Sequence, residues 1–225
     1  MKPLPLSSNS AQAKQRLAIV ALLLTWCTLL IAYWIFRAWD RLAVSMLWNL
    51  FLASVPLIWS AAFRSALERK HAFLAGTYFF LWLIFFPNAP YLLTDLIHLG
   101  ERPNTPLWYL MAVLLFCAGT GTLLGYLSLL DIHTAIQRRW GKTIGWSVVT
   151  ASLMLCGFGI YVGRFLRWNS WDALTNPLEL LKSMAGQFID AGPFPHPIPV
   201  TLIFGIGLII GYIAMRVLAI SPSTE

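Results

Sequence analysis

The chain has 225 residues, of which 58% are hydrophobic and only 11% charged, against about 25% charged residues in soluble domains. So little charge could not cover a water-exposed surface, and the shortfall is concentrated in long charge-free windows, the pattern of helices solvated by lipid. The net charge of +7 does not read as nucleic-acid binding, because the basic residues sit in short segments between apolar runs and form no stripe on a soluble face.

Taken in chain order, residues 1–16 form a tail carrying Lys2, Lys14 and Arg16, followed by an apolar run over 17–36. At about 1.5 Å rise per residue that run crosses a hydrocarbon core of about 30 Å. A cleavable signal would end in small residues, whereas Tyr33, Trp34 and Phe36 stand here, so a retained helix with an aromatic belt is expected. The second span is expected over 42–63, kinked at Pro56. The third covers 72–99 and should break at Pro87-Asn88-Ala89-Pro90, since helix is disfavoured before each proline. Polar backbone exposed near one membrane face, with helix resuming at Tyr91, is the expectation there. Three more spans follow over 107–130, 144–163 and 200–220, then a short tail, 221–225.

The longest connection, Arg164 to Pro199, contains a cap-and-first-turn pair, Asn176-Pro177. Leu178, Leu181, Ala185, Phe188 and Ile189 then share a face, which predicts a short amphipathic helix near 177–189 lying in the interface plane. A seventh, shortened span is the alternative, but Glu179, Lys182 and Asp190 make it costly. The fold class is thus all-α, a polytopic bundle of about six spans forming one transmembrane domain over 17–220. Gly121/Gly125, Gly159/Gly163 and Gly207/Gly211 are each four apart, a spacing that lets helix backbones approach and predicts that the last three helices pack most closely. Cys27, Cys117 and Cys156 each lie alone in an apolar run, with no metal or redox spacing, and read as small core residues.

Orientation follows Lys and Arg. Ten lie on the side of the amino terminus: Lys2, Lys14, Arg16, Arg64, Arg69, Lys70, Arg138, Arg139, Lys142 and Arg216. Six lie on the other: Arg37, Arg41, Arg102, Arg164, Arg167 and Lys182. Both termini are therefore expected in the cytoplasm, which places the broken third span and the long connection together on the outer face of a cell (inner) membrane. Asp131 and His133 are expected in a solvated cytoplasmic connection, His196 in an exposed turn and His71 at a helix flank.

Two outward segments carry candidate chemistry. In Pro87–Leu99, Asp95 and His98 are three apart and share a helical face, which suits an oriented acid–base pair. Two local ligands are too few for zinc, so no metal is assigned. In Arg164-Phe165-Leu166-Arg167-Trp168-Asn169-Ser170-Trp171-Asp172, a persisting helix would align Arg164, Arg167 and Trp171. Two guanidiniums there can grip a phosphate or carboxylate, or snorkel to headgroups, or pair internally with Asp95 or Asp172. No phosphate-binding glycine loop, Gly-x-Ser-x-Gly elbow or His-Glu-x-x-His pair is present, and no cofactor is implied. No span holds a midplane charge, which weighs against a proton-coupled transporter.

Phe86-Pro87-Asn88-Ala89-Pro90-Tyr91 with Thr94-Asp95-Leu96, and the stretch Gly163 to Asp172, resemble the hallmark segments of the bacterial membrane-protein family called domain of unknown function 1361. The resemblance runs from the second helix to the sixth. It implies an integral membrane protein and carries no activity. The functional expectation is an outward-facing polar site for a small anion or an anionic lipid headgroup, built from Asn88, Asp95 and His98 on one side and Arg164, Arg167, Asn169 and Asp172 on the other. Asp95 and Arg167 should then lie within about one side-chain reach. Whether the protein is an enzyme stays open: Asp95 and His98 are the candidates for acid–base work on a lipid-linked substrate, and a transporter or an assembly partner are the remaining alternatives.

Overall fold

A backbone in hydrocarbon has to satisfy its hydrogen bonds within the segment, and helix is the way to do so. The computed structural model describes residues 6–102, 104–189 and 195–219. The helices are α1 (Leu6–Ala38), α2 (Arg41–Glu68), α3 (Ala72–Phe85), α4 (Asn88–Tyr91), a 3-10 helix (Leu92–His98), α5 (Leu107–Trp140), α6 (Lys142–Arg164), α7 (Asp172–Thr175), α8 (Pro177–Ile189) and α9 (Pro197–Ala219). Among the described residues six stretches are long and apolar enough to cross a membrane, the third extending from Ala72 to His98 as α3, α4 and the 3-10 helix, with a break at Phe86-Pro87. The protein is a multi-pass, all-α membrane bundle. Large apolar side chains such as Phe36 and Phe73, 85% and 86% exposed, point away from it, as they must when the solvent is lipid.

Local signals set the ends. The Asp40 carboxylate accepts from the Leu42 N–H at 2.9 Å and caps α2. Gly141 separates α5 from α6 at φ +93°, a conformation a side chain resists. The bundle is organised about α5, which is buried at intervals along its length from Leu110 to Ile136. One apolar core joins α1, α2 and α5 around Trp34, Met46 and Leu114. A second joins α2, α3, α5, α6 and α9 around Trp82, Leu153 and Tyr212.

The structure departs from the sequence reading at the end opposite the candidate site. Helix α5 does not stop near Leu130 but continues through Asp131 and His133 to Trp140, so these residues are not in a solvated connection. Asp131 accepts from Arg16 Nη1 at 2.7 Å and Nη2 at 2.9 Å, with Arg64 at 3.5 Å. His133 is fully buried, its Nδ1 3.0 Å from the Tyr212 hydroxyl and 2.9 Å from Arg216 Nη1. Partners brought from α1, α2 and α9 keep the polar groups of the last turns satisfied, so the helix can extend. His196 and His71 are exposed, at the starts of α9 and α3. Asp190 and the tail 221–225 lie outside the described residues.

Candidate functional site

The third span reaches the site through a tight bend. Pro87 keeps helical angles, φ −60° and ψ −25°, and the Tyr91 N–H returns to the Pro87 carbonyl at 3.0 Å. Beyond it the chain narrows into the 3-10 helix, where residues three apart eclipse. Asp95 and His98 are brought to one face more strictly than an α-helix would bring them. The expectation of exposed polar backbone at the break is overturned. Ala89 and Leu92 are fully buried, and the bend is seated on glycines. A Cβ at Gly121 would strike the Ala89 carbonyl oxygen and come within 2.6 Å of Leu92 Cδ1, and one at Gly159 would lie 2.5 Å from Pro87 Cγ. Two of the three glycine pairs thus receive the broken span. The close approach of α6 and α9 uses Gly157 instead, whose added Cβ would lie 2.6 Å from the Thr201 carbonyl oxygen.

Arg164, the last residue of α6, is the centre of the site. Its Nη2 pairs with Asp95 Oδ1, its Nε donates to Thr94 Oγ1 at 2.8 Å, and its Nη1 lies 3.3 Å from His98 Nε2. Arginine can only donate, so in that bond Nε2 accepts and the ring N–H is on Nδ1. The guanidinium also sits 4.5 Å from the Tyr91 ring centroid, within cation–π range. The other Asp95 oxygen accepts from Asn49 Nδ2 at 3.3 Å. Of the internal pairings open to the arginines, Arg164 with Asp95 is the one formed, and its charge is neutralised in place.

The helix ends at Arg164, so Arg164, Arg167 and Trp171 are not carried on one helical face. The chain instead folds back, with the Trp168 N–H 3.3 Å from the Val162 carbonyl and Arg167 at φ +58°. This left-handed conformation costs a non-glycine residue about 1–2 kcal/mol. The Arg167 side chain is exposed and has no hydrogen-bond or ion-pair partner among the described residues. Asp172 is committed to the turn, its Oδ2 accepting from the Asn169 N–H at 2.7 Å. The Asn88 side-chain amide bridges the two segments, donating to Ser170 Oγ at 2.7 Å and to the Phe85 carbonyl at 2.9 Å.

These groups border a cavity of about 860 Å³. Asn49, Asn88, His98, Arg164, Arg167 and Asn169 form its polar part, and Leu83, Leu155, Phe158 and Met184 its apolar part. Of the seven residues expected to form the site, Asn88, His98, Arg164, Arg167 and Asn169 line the cavity; Asp95 lies behind Arg164, and Asp172 supports the loop. Sequence reading missed Asn49 and Ser170. Asn49 did leave a signal, as a lone amide in the apolar run of the second span, a residue that there seeks a partner on another helix.

The family model described as "Protein of unknown function (DUF1361)" matches residues 48–211. No curated protein and no solved structure matches.

Proposed function

The chain belongs to this family of proteins of unknown function, which passes on no activity, and from the site itself we propose a membrane protein that holds an anionic group, a lipid headgroup or a small anion, at its outward-facing end. The observation that carries the reading is Arg167. It is an exposed cation without a partner among the described residues, beside a cavity whose other arginine is already neutralised by Asp95. Arg167 therefore presents one uncompensated positive charge to the cavity, which Asn169 also lines. Its backbone strain supports the same reading, since outliers of this kind gather at ligand sites. Asn88, Arg164, Asn169 and Asp172 position it, and no cofactor or metal is invoked.

The orientation rests on the excess of Lys and Arg at the opposite end, ten against six. It puts both termini in the cytoplasm and the cavity on the outer face of a bacterial inner membrane. Native mass spectrometry of the detergent-purified protein tests the function. A phosphate- or carboxylate-bearing adduct should be retained, and Arg167→Ala should weaken retention about 10- to 100-fold, the equivalent of one or two charge-assisted hydrogen bonds. An adduct unchanged in that variant would refute the reading.

A second reading, an enzyme acting on a lipid-linked substrate, is favoured by one observation: His98 lines the cavity while its Nε2 is occupied by Arg164. Nδ1–H is then the group offered to a substrate oxygen. Asp95, enclosed by Arg164 and Asn49, serves in this reading as the residue that orients the arginine. A His98→Ala strain with an undiminished cellular phenotype would end it.

A further inference from the structure

A second cavity, of about 600 Å³, lies among α6, α8 and α9 and shares Leu155, Phe158 and Met184 with the first. The two form one trough whose lining changes from polar to apolar. Beyond the shared residues the walls are Met154, Leu181, Ala185, Phe188, Ile198 and Leu202. The one polar side chain there is Thr201, and its hydroxyl oxygen is withdrawn from the surface. A polar ligand part in this stretch would lose water without gaining a hydrogen bond. Hydrocarbon suits it.

The wall is held by α6 and by the loop that carries Arg167. Trp168 Nε1 donates to Ser183 Oγ at 3.1 Å, the Tyr161 hydroxyl to Gln187 Oε1 at 3.2 Å, and Phe188 stacks on Phe158 with ring centroids 6.0 Å apart. Leu181, Phe188, Ile198 and Leu202 remain 43–57% exposed, so the trough is open along its side. A chain can enter laterally from the bilayer without being threaded.

We infer that the ligand is an anionic membrane lipid, with its phosphate at Arg167 and one hydrocarbon chain laid along the trough between α6, α8 and α9. The inference rests on Arg167 being the anion contact. It goes further by naming an amphiphile where a free anion would satisfy the polar part alone, since a free anion has no use for the apolar continuation. A chain moving from lipid into the trough gains no hydrophobic free energy, because both surroundings are apolar, and only packing is exchanged. The headgroup must therefore supply the selectivity, and the trough fixes where the chain lies.

The test uses the full chain in phosphatidylcholine vesicles doped with a photoactivatable lipid bearing a mid-chain diazirine, either phosphatidic acid or phosphatidylcholine. The phosphatidic acid probe should label peptides containing Leu155, Met184 and Phe188, about tenfold more than the phosphatidylcholine probe. Ala185→Trp, a substitution at an exposed helix position that fills the trough, should move the label elsewhere while native mass spectrometry still finds the anion at Arg167. Label scattered outside the trough, with retention still dependent on Arg167, would overturn the chain placement and leave the anion site standing. Equal labelling of the trough by both probes, unaffected by Arg167→Ala, would overturn the headgroup contact at Arg167 and with it the inference that the ligand is anionic. Competition by an unlabelled diacyl or polyprenyl phosphate identifies the chain type, and displacement by neither would overturn the inference.

Discussion

Removing Arg164 while leaving Asp95 tests the electrostatics of the site most directly. The two side chains are 13% and 3% exposed, so bulk water screens their attraction little. In Arg164→Met the stem is kept and the charge is lost. Among the described residues, Asp95 is then left with the 3.3 Å bond from Asn49 alone. Stranding one member of a buried pair costs about 3–5 kcal/mol. The bond to Thr94 and the contact with Tyr91 are lost as well, but such terms do not add within one network, so about 4–5 kcal/mol is the expected total. Arg164→Met/Asp95→Leu replaces both charges with apolar groups and should return to within about 1–2 kcal/mol of the wild type. Steric trapping in bicelles, or a reversible detergent-denaturation series, measures all three proteins. A loss below about 1 kcal/mol in Arg164→Met would refute the reasoning. So would a double variant no more stable than the single, because then no stranded charge was responsible.

Arg167 should behave in the opposite sense. Arg167→Gly relieves the left-handed strain, partly offset by the greater freedom of glycine in the unfolded chain, so stability should rise by about 0.5–1 kcal/mol while anion retention falls, both read on one preparation. Gly121→Ala should destabilise by about 1–3 kcal/mol, because the Ala89 carbonyl cannot yield cheaply. Gly76→Ala, with nothing within 4 Å of the added atom, should be neutral or slightly stabilising in the same denaturation series. Reporter fusions near residues 100 and 175 should both be active only outside the cytoplasm, and one near residue 140 only inside; opposite signals from the first two would separate the halves of the site.

Much of the bundle could be read from the chain because span length and apolarity are local properties. Each of the six runs announces itself without reference to the others. The extension of α5 through Asp131 and His133 could not be read this way. A charged residue at the end of an apolar run reads as a boundary unless its partners are known, and Arg16, Arg64, Tyr212 and Arg216 lie far away in sequence. The site shows the same division. The two segments are legible from their polar residues and from the topology, and Asp95 is one of the internal partners open to the arginines. Which arginine it takes is not legible, because beyond Gly163 no glycine or proline shows whether the helix stops at Arg164 or carries on through Arg167. Arg167 occupies a left-handed position that sequence rules reserve for glycine, and that conformation, unexpected from composition, separates the roles of Arg164 and Arg167. The 3-10 form of Leu92–His98 was likewise invisible to a pattern of spacing three, which both helix types share.

The glycine seat under the third span has a consequence for how a ligand would be received. Between Phe86 and Leu92 the chain is clasped by bare backbone of α5 on one side and α6 on the other, leaving no side-chain slack that could let it drift. Asn88 and Tyr91 are carried on this floor, so that in the proposed site they stand in place before anything arrives. Preorganisation of this kind lowers the entropy forfeited on association, and leaves the adaptable part of the encounter to one long cationic side chain at the rim.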